Sequence, residues 1–175
     1  MKKRKIAIFL LVMLFVIFGY RYYKVNHNVP LKYTMEYYKD GNYADCEGLQ
    51  IKILSTETRK SNAKNKVGTE FMELVVKSEI VNTTSEVKNA ISFQESDIVI
   101  DCYSASTGPP EVTGGDLENI KPGEKLLLTQ VYTLEKERYE KGKDNVYMYL
   151  REKLYPNEIK EKFYKGIRYR KAIKI

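Results

Sequence analysis

Hydrophobic and polar positions divide the chain into two regions with different periods. Residues 6–19 are apolar without interruption and follow four basic residues. From Leu31 onward, apolar side chains alternate with polar ones, which is the period of two expected of half-buried β-strands. The clearest segments are TEFMELVVKSEIVN, DIVIDCY, KLLLTQVYTL and GIRYRKAIKI. The pattern therefore predicts an N-terminal apolar helix followed by a domain built of strands.

The outer region contains eight to nine candidate strands and no long amphipathic helix. ISF at 91–93 is predicted to be a short strand, STETRKSNAKNKVG an exposed loop, and YPNEIKEKF a short helix or irregular crossing. The segment from Ser104 to Asp116, rich in proline and glycine, is predicted to be the least structured part of the domain. We predict an all-β fold, an immunoglobulin-like β-sandwich preceded by one N-terminal transmembrane helix.

The apolar N-terminal segment is predicted to remain on the protein as an anchor. Signal peptidase needs small residues one and three positions before the cut, but Ile17 stands where the second should be if cleavage followed Gly19. Ile6–Tyr23 forms about 27 Å of helix, just enough to span a hydrocarbon core of about 30 Å when flanking tyrosines and cations lie in the headgroups. A cleaved signal peptide and a cytoplasmic protein are the alternatives.

Charge asymmetry predicts the topology, and the segments described above give the domain boundaries. Four basic residues precede the apolar run and two follow it, which places the N-terminus in the cytoplasm and the remainder outside the cell membrane of a single-pass protein. We assign residues 1–24 to a basic tip and transmembrane anchor, 25–30 to a linker, and 31–175 to the extracytoplasmic domain.

The net charge of +7 is unevenly distributed along the chain. Residues 1–24 carry six of the 30 basic residues and no acidic ones, which leaves 24 basic and 23 acidic residues for the rest. The excess is therefore mainly a targeting signal, and nucleic acid is not expected as a partner. A second concentration of positive charge lies in 151–175, with nine basic and three acidic residues.

This basic C-terminal segment is the strongest candidate for partner binding. Arg168, Arg170 and Lys171 are predicted to contact a protein or an anionic cell-envelope partner such as a wall polymer or lipid. The alternative is a solvent-facing edge strand that its lysines protect from aggregation. The loop from Ser104 to Asp116 is a second candidate for recognition.

Candidate catalytic and metal-binding residues are few, and no cofactor is predicted. The only histidine, His27, lies in the linker, and Ser61 with Lys64 lacks the companion motifs of penicillin-interacting enzymes. Oxygen ligands at Asp40, Asn42, Asp45 and Glu47 depart from a calcium loop at Ala44, while Glu95, Asp97 and Asp101 are the carboxylates available for hydrolysis. We predict a non-enzymatic binding or envelope-support module, with a carboxylate-dependent cell-envelope hydrolase as the alternative.

Two cysteines, Cys46 and Cys102, would lie on the oxidising side of the membrane. A disulfide between the sheets of immunoglobulin-type sandwiches closes a loop of similar size, and here it would contribute about 3–4 kcal/mol. Cys46 nevertheless has the neighbours of a turn, so two free thiols remain the alternative.

Three segments resemble a known group of domains. The strand LQIKILSTE, the long strand FMELVVKSEIVNTT and the segment LENIKPGEKLLLTQVYTL, following an anchor, are similar to the telokin-like, immunoglobulin-like extracytoplasmic domains of low-GC Gram-positive bacteria. The chain resembles, more narrowly, small membrane-anchored proteins of these bacteria with a domain of unknown function. The resemblance covers about 30–175 and implies a fold, a location and a bacterial source, but no reaction.

Overall fold

The computed structural model describes residues 2–27, 29–64 and 68–175, and within them it contains three α-helices and ten strands. The α-helices are α1 (Lys2–Asn26), α2 (Lys136–Gly142) and α3 (Pro156–Tyr164). The strands are β1 (Lys32–Tyr38), β2 (Ala44–Cys46), β3 (Leu49–Lys64), β4 (Glu70–Asn82), β5 (Asp97–Ile100), β6 (Tyr103–Ala105), β7 (Glu111–Thr113), β8 (Lys125–Glu135), β9 (Val146–Tyr149) and β10 (Ile167–Lys174). Short 3₁₀ helices cover Ile91–Glu95, Lys143–Asn145 and Glu152–Leu154.

Helix α1 is apolar on all sides. Its segment Arg4–Asn26 is long and apolar enough to cross a membrane, and none of its most apolar stretch is buried against the rest of the chain. A signal sequence would satisfy the same criteria of length and composition. Because α1 covers no core residue, the domain from β1 onward closes its own interior.

Two five-stranded sheets face each other. The first sheet has the order β1-β10-β9-β5-β6 and the second has the order β2-β3-β4-β8-β7. Neighbouring strands are antiparallel except for β1 and β10, which run parallel from Lys32 opposite Ile167 to Tyr38 opposite Ile173. Strand β10 therefore lies between β1 and β9, and the prediction of an edge strand at the C-terminus is wrong.

The core forms between the inward sides of the two sheets. Met72, Leu74, Val76 and Ile80 of β4 are buried, as the alternation predicted. Each fully buried leucine or isoleucine contributes roughly 1.5–3 kcal/mol relative to an exposed one. The buried residues of the hydrophobic core in the described part lie between positions 44 and 173.

Several element predictions require correction. The β-sandwich is confirmed, but "all-β" is too narrow because 30% of the chain is helical, and the predicted strand ISF is a 3₁₀ helix. The predicted loop after Ile53 is largely strand, because β3 continues to pair with β4 as far as Lys64; residues 65–67 of that loop lie outside the described part. The segment from Ser104 to Asp116 contains β7 and most of β6, since pairing with neighbouring strands supplies order that its composition does not predict.

A buried asparagine ties two connections together at the end of β4. Asn82 is fully buried, and its side-chain amide donates to the backbone oxygens of Glu86 at 2.7 Å and Ile120 at 2.8 Å. Its Oδ1 accepts from the backbone N–H of Thr84 at 2.9 Å and the hydroxyl at 2.8 Å. All the hydrogen-bonding positions of this side chain are used, so Asn82 fixes both loops.

The start of α3 is held by the turn between β2 and β3. The Glu47 carboxylate accepts from the backbone N–H groups of Asn157 at 2.6 Å and Glu158 at 3.0 Å, and from the side-chain amide of Asn157 at 2.7 Å. These N–H groups have no partner within a helix, and the helix dipole favours a negative charge there. Glu47 therefore links α3 to the second sheet.

Candidate binding surface

Strand β1 places its more apolar side on the surface. By register, Glu36 and Tyr38 share a side with the inward residues of β10, so Tyr33 and Tyr37 point away from the core and are 57% and 59% exposed. The alternation predicted for this strand is present, but its tyrosine side is the uncovered one. The result is an aromatic outer surface on the first sheet.

A row of cations crosses this surface along β10. Arg168, Arg170 and Lys174 lie on the same side of β10, with Ala172 between the last two, and are exposed, so the row is about 20 Å long at ~3.3 Å per residue. The register places residues of β1 on one side of the row and residues of β9 on the other. We call the following set the Tyr–Arg face: Tyr33, Met35, Tyr37, Tyr147, Tyr149, Arg168, Arg170 and Lys174.

The tyrosines of the Tyr–Arg face lie close to one another. The rings of Tyr37 and Tyr147 have centroids 5.2 Å apart and are tilted by 58°. Ala172 lies between Tyr37 and Tyr149 in the register and is fully buried beneath the larger side chains. Partial burial, together with neighbouring tyrosines, raises the pKa of Tyr149, and Arg170 opposes the shift. These contacts hold the rings in a defined arrangement.

Ion pairs occur at one border of the face. Arg170 Nε lies 3.3 Å from Glu152 Oε1, and Arg151 Nη2 lies 3.3 Å from Asp97 Oδ2. A cleft of about 400 Å³ opens between these groups beside Tyr149. Within the described residues, Arg168 and Lys174 form no ion pair, so their charges are available to a ligand.

The third predicted contact residue, Lys171, points the opposite way. It is 2% exposed, and its Nζ lies 2.8 Å from Glu158 Oε1 of α3 and donates to the backbone oxygen of Asp45 in β2. The same ammonium group lies 5.0 Å from the ring centroid of Tyr155 and 6.0 Å from that of Tyr169. Lys171 therefore joins the first sheet, the second sheet and α3, and its assignment to a binding surface is wrong.

A carboxylate next to this lysine is held by two tyrosines. Glu36 accepts hydrogen bonds from Tyr38 at 2.7 Å and from Tyr169. Although partial burial favours the neutral acid, the two hydroxyls keep the pKa of Glu36 below its ordinary value. Sequence reasoning missed this cluster, although Lys171 is two residues from both Tyr169 and Ile173 and its side chain therefore lies on the same inward side of β10.

The two cysteines are free thiols in the structure. Cys46 is buried at the end of β2, where burial raises the pKa of its thiol to about 12. Cys102 is exposed in the turn after β5, next to Asp101, whose φ of 51° ends the strand. The structure thus has the free-thiol arrangement and not the disulfide, because the turn at Asp101 leaves Cys102 on the surface.

The remaining candidate residues have structural contacts of their own. Asp97 is paired with Arg151 and accepts from the Ser106 hydroxyl at 2.9 Å, while Asp45 Oδ1 accepts from a backbone N–H in the same turn. Ser61 is buried and donates to Glu73 at 3.5 Å; the side chain of its predicted partner, Lys64, lies outside the described part. No group of three or more metal-ligating side chains is found among the described residues.

Comparisons with known proteins found similar chains among solved structures. No family model and no curated protein matches the chain. Among solved structures, similar chains are an uncharacterized β-sandwich protein from Clostridium difficile (13% identity, 81% of this chain and 95% of that one, TM-score 0.47) and the yjhA protein from Bacillus subtilis (12%, 79% and 98%, 0.48). A functionally unknown protein from Listeria monocytogenes is also similar (12%, 63% and 70%, 0.48). These neighbours come from Gram-positive bacteria, and none of them supports the telokin-like family assignment.

Proposed function

We propose that the chain is a non-enzymatic, immunoglobulin-like binding module, tethered outside the cell membrane by α1, that holds an anionic cell-envelope polymer on the Tyr–Arg face. The observation that carries the proposal is the row of exposed cations on β10, flanked by exposed tyrosines. Tyrosine and arginine are, with tryptophan, the side chains enriched at the hot spots of protein–protein interfaces. This face is therefore the best candidate for recognition.

The chemistry of the row favours a linear anion. Guanidinium groups bind phosphate or carboxylate through two parallel hydrogen bonds. Arg168 and Arg170 are ~6.6 Å apart along the strand, and Lys174 lies about 13 Å beyond Arg170. Tyrosine rings offer a flat apolar contact together with a hydroxyl donor. A polymer that alternates charged groups with sugar or polyol units fits both features along β10.

The contacts of the carboxylates support a non-enzymatic role. Asp97 is neutralised by Arg151, and Glu158 by Lys171. The hydrolase alternative has no comparable observation in its favour.

Binding should be measured with the purified fragment 29–175, whose buried apolar residues are complete without α1. We expect it to bind poly(glycerol phosphate) wall polymer more tightly than a neutral polysaccharide, and to lose affinity as salt screens the charges. The double variant Arg168→Ala plus Arg170→Ala should weaken binding at least tenfold, and Tyr37→Ser should weaken it independently.

The control variant removes the same charge elsewhere. Lys141→Ala plus Lys143→Ala deletes two exposed cations in and next to α2 and should leave binding unchanged. Equal losses in the two double variants would show a general effect of net charge, and salt-independent binding that survives loss of both arginines would refute the proposed face.

The location can be tested with the cysteines of the full-length protein. A membrane-impermeant maleimide should label Cys102 on intact cells, because this thiol is exposed, and should not label buried Cys46. Cys102→Ser should abolish the labelling. Labelling that requires permeabilised cells would place the domain in the cytoplasm and refute the topology.

A further inference from the structure

Three large apolar side chains are exposed at the end of the domain nearest α1. Leu31 precedes β1 and is 97% exposed, while Phe163 and Tyr164, in the last turn of α3, are 47% and 77% exposed. The Lys32 N–H donates to the Gly166 oxygen at 3.3 Å. This hydrogen bond joins the start of β1 to the turn after α3, so the three side chains lie at one end of the first sheet.

Basic residues neighbour these apolar side chains along the chain, since Lys32 follows Leu31 and since Lys162 and Lys165 flank Phe163 and Tyr164. Lys32 and Arg168 form no ion pair within the described part of the chain, and Lys162 Nζ lies 5.3 Å from the ring centroid of Tyr169. Lys165 is paired with Glu161, on the surface of α3. We call the following set the basal patch: Leu31, Lys32, Lys162, Phe163, Tyr164, Lys165 and Arg168.

The basal patch is close to the membrane-spanning candidate along the chain. Helix α1 ends at Asn26 and β1 starts at Lys32. Six residue steps reach at most about 22 Å even when fully extended. If α1 crosses a bilayer, the start of β1 therefore lies within about 22 Å of the end of α1, which brings the basal patch within reach of the headgroups.

We infer that the basal patch docks on the lipid surface of the membrane that α1 crosses. Leucine and aromatic side chains insert at the boundary of headgroups and acyl chains, and lysine and arginine are attracted by anionic headgroups. The inference rests on the proposed membrane location, but it uses side chains other than those of the polymer site, apart from Arg168. Anionic lipid is the occupant that combines both chemistries of the patch.

Docking would fix the orientation of the Tyr–Arg face. Strands β1 and β10 are parallel, and both start at the basal patch. Their outward side then extends from the membrane surface toward the wall, with Arg168 nearest the lipid and Lys174 farthest from it. A polymer bound along β10 would run away from the membrane instead of along it.

Vesicle binding by fragment 29–175 tests the inference without the contribution of α1. We expect the fragment to sediment with phosphatidylglycerol vesicles at low salt, less so at 0.15 M salt, and at least tenfold less with phosphatidylcholine vesicles. Leu31→Ser plus Phe163→Ser plus Tyr164→Ser should reduce binding at least tenfold. The single variant Tyr164→Ser, at an exposed position, should reduce it severalfold without affecting folding.

A matched control changes an exposed aromatic residue outside the patch. Tyr37→Ser should leave vesicle binding unchanged while it weakens polymer binding, so the two proposals can fail separately. Failure to bind phosphatidylglycerol vesicles would overturn the inference, as would equal losses for Tyr37→Ser and Tyr164→Ser. Self-association abolished by the triple variant, without vesicle binding, would instead identify a second copy as the occupant.

Discussion

Replacing Lys171 by alanine should destabilise the domain strongly, because this side chain connects three elements. Its ammonium group is paired with Glu158, is bound to the Asp45 carbonyl, and lies over the rings of Tyr155 and Tyr169. Alanine would remove these contacts together and leave a carboxylate without its cation. The loss should appear in the free energy of unfolding of fragment 29–175.

The expected magnitude follows from the burial of each partner. Removing one member of a buried ion pair costs about 3–5 kcal/mol. The Glu158 side chain keeps 31% exposure, so water can resolvate part of its charge and the lower end, about 3 kcal/mol, is expected. For a domain of this size the midpoint of thermal unfolding should fall by roughly 6–12 °C.

Two further variants separate charge from packing. Lys171→Met keeps an apolar side chain of similar length at this buried position and should cost about half as much as alanine. Adding Glu158→Gln should recover part of that loss, since an unpaired charge is then absent. Arg168→Ala removes the same charge from the exposed side of the same strand and should change stability by less than about 0.5 kcal/mol. Urea unfolding followed by circular dichroism measures all four. A cost below about 1 kcal/mol for Lys171→Ala would refute the proposed connection.

Three other perturbations have expected outcomes in the same unfolding assay. Asn82→Ala should cost about 2–3 kcal/mol because buried carbonyls lose their donor; a loss near zero would mean that water replaces the amide. Glu47→Ala should cost about 1 kcal/mol through loss of the cap on α3. If Glu47→Asp kept full stability, the cap would not depend on the position of the glutamate carboxylate. Hydrogen bonds from Tyr169 and Tyr38 hold the pKa of Glu36 below the ordinary value near 4.3, and hydrogen bonds from Tyr43 and Lys125 do the same for Glu79. The stability that these carboxylates contribute is present above that value and is lost as the pH falls through the lowered pKa. Glu36→Gln should make this acid dependence shallower, and an unchanged slope would contradict the assignment.

Periodicity predicted which segments are strands better than it predicted which sides are buried. In β4 the side formed by Met72, Leu74, Val76 and Ile80 is buried, because the first sheet covers this central strand on its inward side. In β1 the tyrosine set is exposed, because β1 lies at an edge and its other side carries Glu36 and Tyr38 toward the cluster around Lys171. The side that a strand buries depends on its neighbours in space, which alternation alone does not contain.

For the basic C-terminal strand, too, composition did not show which side chains are buried, although the spacing of its residues contained part of that information. Composition identified Arg168, Arg170 and Lys171 as one charged group, although adjacent residues of a strand point to opposite sides. Lys171 is two residues from Tyr169 and from Ile173, so the sequence already indicated that its side chain lies on the inward side of the strand. Its partners, Glu158 and the Asp45 carbonyl, were not, because they are brought to it by α3 and β2.

Arg168 lies where the two proposed surfaces meet, and this position makes the surfaces separable. It begins the cationic row of the Tyr–Arg face and also borders the basal patch, whereas Arg170 belongs only to the row and Tyr164 only to the patch. Arg168→Ala should therefore weaken both polymer and vesicle binding, Arg170→Ala only the former and Tyr164→Ser only the latter. If lipid and polymer compete for Arg168, vesicles should reduce polymer affinity in the unaltered fragment but not in Arg168→Ala. The absence of any such difference would mean that the two surfaces bind independently, with Arg168 committed to one of them.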